Sequence, residues 1–227
     1  MRIPLVLPLA AAAALTAGCE APSGSGSGAS TDLADLRTRG ERTEWIETSS
    51  HADVIGFLAA AASASDMAHL ETMGYTSEGR AIPLLVIGDV ADGSPEAVRE
   101  SGKLRVYLQG NIHSGEVPGK EALQMLVREL LTGATPDWTD ELVLLVNPIY
   151  NADGNERVAL GNRPRQHGPL GGLGQRPNAQ GVDLNRDHMK LDSAEGRSWV
   201  SMLNRYVPEV GVDLLGTQGT RLAYHVS

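Results

Sequence analysis

Residues 104–121 read LRVYLQGNIHSGEVPGKE. Leu104, Val106 and Leu108 alternate with Arg105, Tyr107 and Gln109, the period of two that marks a strand, and Gly110 bounds the run. From Glu121 onward Ala122, Leu123, Leu126, Val127, Leu130 and Leu131 recur at helical spacing. A strand that breaks into a helix puts His113, Ser114, Gly115 and Glu116 at the strand's carboxyl end. That is the crevice in which open α/β sheets bind ligands. An imidazole and a carboxylate three residues apart can reach one metal ion from the same side of a turn. The spacing is a weak motif alone and takes its weight from the strand–helix context.

Outward from this unit, residues 53–62 carry Val54, Ile55, Phe57, Leu58 and Ala61, which predicts a helix. Residues 69–75 and 82–87 read as two strands joined by a turn containing Gly79, expected to pair antiparallel. The continuous apolar run 142–146 predicts a strand buried on both faces. A helix follows over 193–206, then strands over 210–214 and 222–226. Strands alternating with helices predict a doubly wound mixed α/β sheet, a three-layer α/β/α sandwich with an antiparallel edge and no internal repeat. Residues 149–192 are rich in Gly, Asn, Arg and Pro and show no period. A loop of that length inside one domain is expected to be functional. It carries Asn151-Ala152-Asp153-Gly154, the arginines Arg157, Arg163, Arg165 and Arg176, and Gly181-Val182-Asp183-Leu184-Asn185-Arg186-Asp187-His188. Guanidinium forks bind carboxylates, so this cluster suggests an anionic substrate. Bonds to loop carbonyls or to Asp and Glu partners are the plainer account of any single arginine.

The ends of the chain carry different information. Residues 1–18, with Arg2, an apolar stretch and Ala17-Gly18 before Cys19, predict a secretory signal too short and proline-broken to span a membrane. Cys19 is the only cysteine of the chain, so an exported protein here has no disulfide to make. Residues 20–31 are a Gly/Ser-rich tether, and 32–227 suffice for one domain. The net charge of −9 becomes one unit more acidic without Arg2, which argues against nucleic acid as a partner.

The order HSGE (113–116), NADG (151–154), NAQGVDLNRD (178–187) and PEVGVDLL (208–215) resembles the carboxypeptidase A-type zinc metallopeptidases, closest to their bacterial exported branch. TSEGRAIPLLVIG (76–88) and NPIYNADGNERV (147–158) extend the likeness over the whole body. The resemblance implies zinc as cofactor, held first by His113 and Glu116, and a peptide with a free C-terminal carboxylate as substrate. It implies that Asn185 and Arg186 hold that carboxylate. It places the arginine that polarises the scissile carbonyl at Arg163 or Arg165, with Arg163 preferred and Arg165 then a substrate contact. The Thr-Ala-Gly-Cys ending resembles a bacterial lipoprotein signal, which implies lipidation of Cys19 and a periplasmic or cell-surface protein touching the membrane only through that anchor.

Two departures from the family pattern stand out. The third zinc ligand is a His directly after the strand that here reads Val212-Asp213-Leu214, and this chain has Leu215. The family's general-base Glu and substrate-covering Tyr fall beyond Ser227, so the expectation is a domain truncated at its C-terminal side. His188 and His225 are the candidate substitute ligands. The function expected is therefore metallocarboxypeptidase activity, removing C-terminal residues from peptides, impaired by Leu215 and by a missing C-terminal third. The alternatives are a non-catalytic, carboxylate-binding lipoprotein and an amidohydrolase of the same fold.

Overall fold

The structure is a computed structural model that describes residues 32–134, 138–166 and 168–216. Its elements are α1 (Arg39–Arg42), α2 (His51–Ala64), β1 (Ala68–Tyr75), β2 (Ala81–Ile87), α3 (Pro95–Glu100), β3 (Leu104–Gly110), α4 (Val117–Leu131), α5 (Trp138–Glu141), β4 (Leu142–Asn147), α6 (Ala152–Glu156), α7 (Ala194–Tyr206) and β5 (Val210–Leu214). The strands form one mixed sheet in the order β1-β2-β4-β3-β5. β1 and β2 pair antiparallel, as do β2 and β4, whereas β3 runs parallel to both β4 and β5.

Local sequence explains most element boundaries. Ser50 and Asp53 form a capping box at the start of α2, satisfying backbone donors that the first turn leaves free. Thr38 and Glu41 do the same for α1. α4 begins four residues earlier than the apolar period indicates, because Pro118 in the first turn is already set to helical φ and lacks the donor that position could not use. β4 lies between β2 and β3, which is why its run from Val143 to Val146 is apolar throughout.

The sheet is covered on both faces. Leu85, Ile87, Leu144 and Val146 pack with Val54, Phe57 and Leu58 of α2 and Leu123, Val127 and Leu130 of α4. On the other face Leu84, Val86, Val143 and Leu145 pack with Val98 of α3 and Met202 and Tyr206 of α7. The three-layer α/β/α architecture is thus realised. One sequence expectation changes. Residues 149–192 are not wholly irregular: they contain α6, a 3-10 turn at Leu184–Arg186 and an isolated bridge between Ala159 and Leu173. Short helices of four to six residues span too few turns to show a period. The strand expected over 222–226, His225, the signal, Cys19 and the tether lie outside the described residues.

Buried charges tie the layers together. Asp153 of α6, fully buried, accepts from Thr76 Oγ1 at 2.6 Å, Ser77 Oγ at 3.2 Å, the Glu78 amide at 3.1 Å and Arg80 at 2.7 Å, so it clamps the β1–β2 turn. Lys120 of α4 is also fully buried and donates to the Ser49 carbonyl and to Asn155 Oδ1 at 2.6 Å. Its neighbour Glu121 accepts from Thr48 Oγ1 and from the amide and hydroxyl of Ser49. These bonds fix α4, and with it the segment just before α4, against α2 and α6.

Burial pushes the Lys120 ammonium down from 10.5 to about 8, a shift that Glu121, Glu156 and Asp53 only partly offset. The folded chain therefore releases this proton before the unfolded chain does. Between about pH 8 and pH 10.5 the unfolded state binds more protons, so the residue's contribution to stability rises with pH. Relative to Lys120→Met, the native chain should gain up to about 3 kcal/mol across that window. Urea unfolding of both proteins at pH 7, 8.5 and 10 measures it; a pH-independent difference would contradict the assignment.

Candidate functional site

Three parallel strands deliver their carboxyl ends to one place. β3 ends at Gly110 and leads into residues 111–116, β4 leads through Pro148 to Tyr150 and Asn151, and β5 leads into Leu215 and Gly216. The β3–β4 pairing continues past the strands: the Tyr150 amide donates to the Gly110 carbonyl and the Asn151 amide to that of Asn111. Asn111 takes a left-handed conformation, φ 64°, and its side-chain amide donates to the Ser114 carbonyl. The loop closes as the Glu116 amide donates to the His113 carbonyl at 2.8 Å. Gly115 must be glycine, since a Cβ there would lie 2.5 Å from Arg163 Cγ and 3.0 Å from the Gly174 carbonyl.

Asn151 stitches this loop to its surroundings. Its carbonyl accepts from Ser114 Oγ at 2.8 Å, and its side-chain amide donates to the carbonyls of Ile112 and Arg176, each at 3.3 Å. The NADG motif thus acts as the brace of the His113 loop and of the segment leading to Asp183.

His113 and Glu116 are both buried, with Nδ1 of the imidazole 3.0 Å from Glu116 Oε1. On the other side of the ring Nε2 lies 3.1 Å from Asp183 Oδ1. Asp183 is a hub: it also accepts Nε and Nη2 of Arg176 at 3.0 and 2.9 Å and the Asn185 amide at 3.1 Å. Glu116 Oε1 accepts Arg163 Nη2 at 2.6 Å, and Oε2 accepts the Gly216 amide at 2.9 Å. Burial by itself would raise the Glu116 carboxyl; the hydrogen bonds from His113 and the Gly216 amide, with the charges of His113 and Arg163, outweigh it and hold the group below the usual carboxylate range. Asp183 is likewise held low, its partial burial outweighed by Arg176 and His113.

The structure brings His113, Glu116, Arg163 and, through Asp183, Asn185 to one spot. Arg165 is exposed and lines an adjoining cleft of about 320 Å3 with Arg163 and Arg176. Arg186 is exposed and its guanidinium donates to the Asn185 carbonyl. Leu215 is 52% exposed and directly precedes Gly216, whose amide is bonded to Glu116. His188 stacks on Trp199 of α7, ring centroids 4.7 Å apart. For three of the four clustered arginines the plainer account holds: Arg157 pairs with Glu78, Arg163 with Glu116 and Arg176 with Asp183. Arg165 alone of the four has no ion pair among the described residues. Sequence reasoning quoted Asp183 without giving it a role; the signal was its place two residues before Asn185, where an Asp side chain caps a turn.

The donor set fits a zinc centre only in part. A proton held on Nε2 by Asp183 would leave Nδ1 and Glu116 facing a common point, the orientation a metal-ligating His requires. A zinc site needs three protein ligands, however, and Leu215 offers hydrocarbon. Among the described residues no three His, Cys, Asp or Glu side chains converge on such a point.

The zinc carboxypeptidase family model matches residues 55–210. Carboxypeptidase 2 of Trichophyton rubrum is 30% identical over 158 residues, covering 68% of this chain and 26% of that protein. Carboxypeptidase E of Caenorhabditis elegans is 38% identical over 137 residues, 55% of this chain and 26% of its own length. A metallo-carboxypeptidase structure from Burkholderia cenocepacia superposes with a TM-score of 0.56 at 24% identity, over 74% of this chain and 41% of that one. Carboxypeptidase A from Helicoverpa armigera gives 0.54 at 16% identity, over 75% and 46%. The chain thus spans about a quarter of those two curated relatives and under half of these solved structures, whose low identities speak for the fold alone.

Asp183→Asn should cost about 1–3 kcal/mol, because a buried imidazole and a guanidinium lose their charged acceptor together. Combining it with Arg176→Gln should cost less than the two single changes added. Urea denaturation of the four proteins tests this, and strict additivity would remove Asp183 from its place as hub.

Proposed function

Because this chain belongs to the zinc carboxypeptidase family, we propose that it is a metallocarboxypeptidase-type domain acting on peptides with a free C-terminal carboxylate, with a zinc centre one ligand short. His113 and Glu116 are the two ligands, Arg163 is the group for the scissile carbonyl, and Asn185, Arg186 and Arg165 are the contacts of the substrate carboxylate. The observation that carries this reading is the meeting of His113, Glu116, Arg163 and the Asp183–Asn185 turn where three parallel strands end. Exposed Arg165 and Arg186 leave guanidinium groups available beside that point. Leu215 supplies no lone pair, so no hydrolytic step is assigned to a metal in the chain as it stands.

The same leucine favours a second reading, a carboxylate-binding protein without catalysis. One substitution separates the two. Leu215→His should raise bound zinc toward about one ion per chain, as three ligands and an open water position allow. In a chain that also carries the family's general-base Glu, it should raise release of the C-terminal residue from a peptide with a free carboxylate, with no effect on the amidated peptide. Zinc analysis and amino-acid release on both proteins decide it. If the Leu215 protein already holds a full zinc complement and the substitution adds nothing, another residue such as His188 or His225 is the third ligand.

We further propose export and lipid anchoring through Cys19, supported by the Ala-Gly-Cys ending and the Gly/Ser-rich stretch after it. A single acyl chain binds a bilayer only marginally, so a lasting anchor takes more than one. Cys19→Ser should move the protein from the membrane to the soluble fraction of expressing bacteria; unchanged fractionation would end the anchor reading.

A further inference from the structure

Glu116 is a buried carboxylate, and a buried carboxylate needs a cation. In this chain the cation on Glu116 is a side chain. Arg163 Nη2 lies 2.6 Å from Oε1, the same oxygen that faces His113 Nδ1, while the Gly216 amide takes Oε2. The guanidinium is itself mostly buried, its side chain only 11% exposed. It is also held in place: Nε donates to Gln166 Oε1 at 2.9 Å, the Arg163 backbone is left-handed at φ 55°, and Cγ packs against Gly115. Beside it, Asp183 is matched by Arg176. Two guanidiniums already match the two carboxylates that flank His113, so a dication added to this cluster would bring charge with nothing to compensate it.

We propose that Arg163 is the resident cation of this centre: it neutralises Glu116 in place of a metal ion, keeps the His113–Glu116 pair stable without zinc, and must leave before zinc can bind. The inference rests on the reading of His113 and Glu116 as the family's ligands. Zinc binds a carboxylate oxygen at about 2.0–2.2 Å. A guanidinium nitrogen 2.6 Å from that same oxygen puts a like charge where the ion would approach, so the two cations compete. Leu215 and Arg163 then express one design, a centre lacking a donor and already holding its counter-charge.

The test is a four-way comparison of the full chain, Arg163→Gln, Leu215→His and the double variant, titrated with zinc against a chromophoric chelator and melted with and without EDTA. Removing Arg163 should tighten zinc binding about tenfold or more in both backgrounds, since breaking a buried ion pair frees Glu116 for another cation. It should also make the melting midpoint zinc-dependent, whereas the native chain should melt identically with zinc and with EDTA. Arg163→Lys keeps a charge that cannot form the planar fork, so it serves if the Gln variant does not fold; it too should bind zinc more tightly than the native chain. Equal zinc affinity with and without Arg163, or a native midpoint that rises with zinc as far as that of Arg163→Gln, overturns the proposal. If Leu215→His binds zinc tightly and Arg163 changes nothing, this inference alone fails. If Leu215→His gains no zinc in either background, the ligand reading beneath it fails as well.

Discussion

Parallel pairing of β3 with β4 on one side and β5 on the other is the constraint on which the site depends. Strands paired in parallel end on the same side of the sheet, so three loops distant in sequence leave together. One carries His113 and Glu116, one carries Asn151, and one carries Leu215 and Gly216. The sheet centre that enforces this is apolar on both faces, with β4 covered by α2 and α4 on one side and α7 on the other. Packing of that kind leaves little freedom in register, and a slip of one residue would exchange the two faces of every strand.

The polar groups of the crevice are held by being satisfied. Asn151 fills the carbonyls of Ile112 and Arg176, Asp153 collects four donors from the β1–β2 turn, and Lys120 bridges Ser49 and Asn155. Each of these groups is buried, so each bond removed would expose an unmet desolvation cost. The result is a braced loop in which the His113 ring has an acidic group on either side. This bracing runs through Asn151, Asp153 and Lys120 rather than through Glu116 or Arg163, which makes the neutral pairing of Glu116 with Arg163 compatible with an intact fold.

Family membership and site chemistry point in different directions at one position. The fold and the order of motifs are those of zinc carboxypeptidases, yet the residue before Gly216 is a leucine. Chemistry resides in sites grafted on folds, so under the proposed ligand reading a missing donor leaves the architecture untouched.

Much of this protein was determined by its sequence. Alternation at Leu104, Val106 and Leu108, the apolar run of β4 and the helical spacing of Leu123, Val127 and Leu130 are local signals, because side-chain direction repeats with backbone geometry. The strands from β1 to β5, the long helices and the position of His113 and Glu116 between a strand and a helix all follow from them. Tertiary structure alone decided which charge meets which. Asp183 is seventy residues from His113 and Arg163 is forty-seven from Glu116; no periodicity encodes those pairs. The arginine cluster looked like a cradle for an anion and proved largely occupied by the chain's own carboxylates. The short helices α1, α3, α5 and α6 escaped for a different reason: they complete less than two turns, too few to show an apolar period, although local caps such as Thr38 with Glu41 mark where α1 begins.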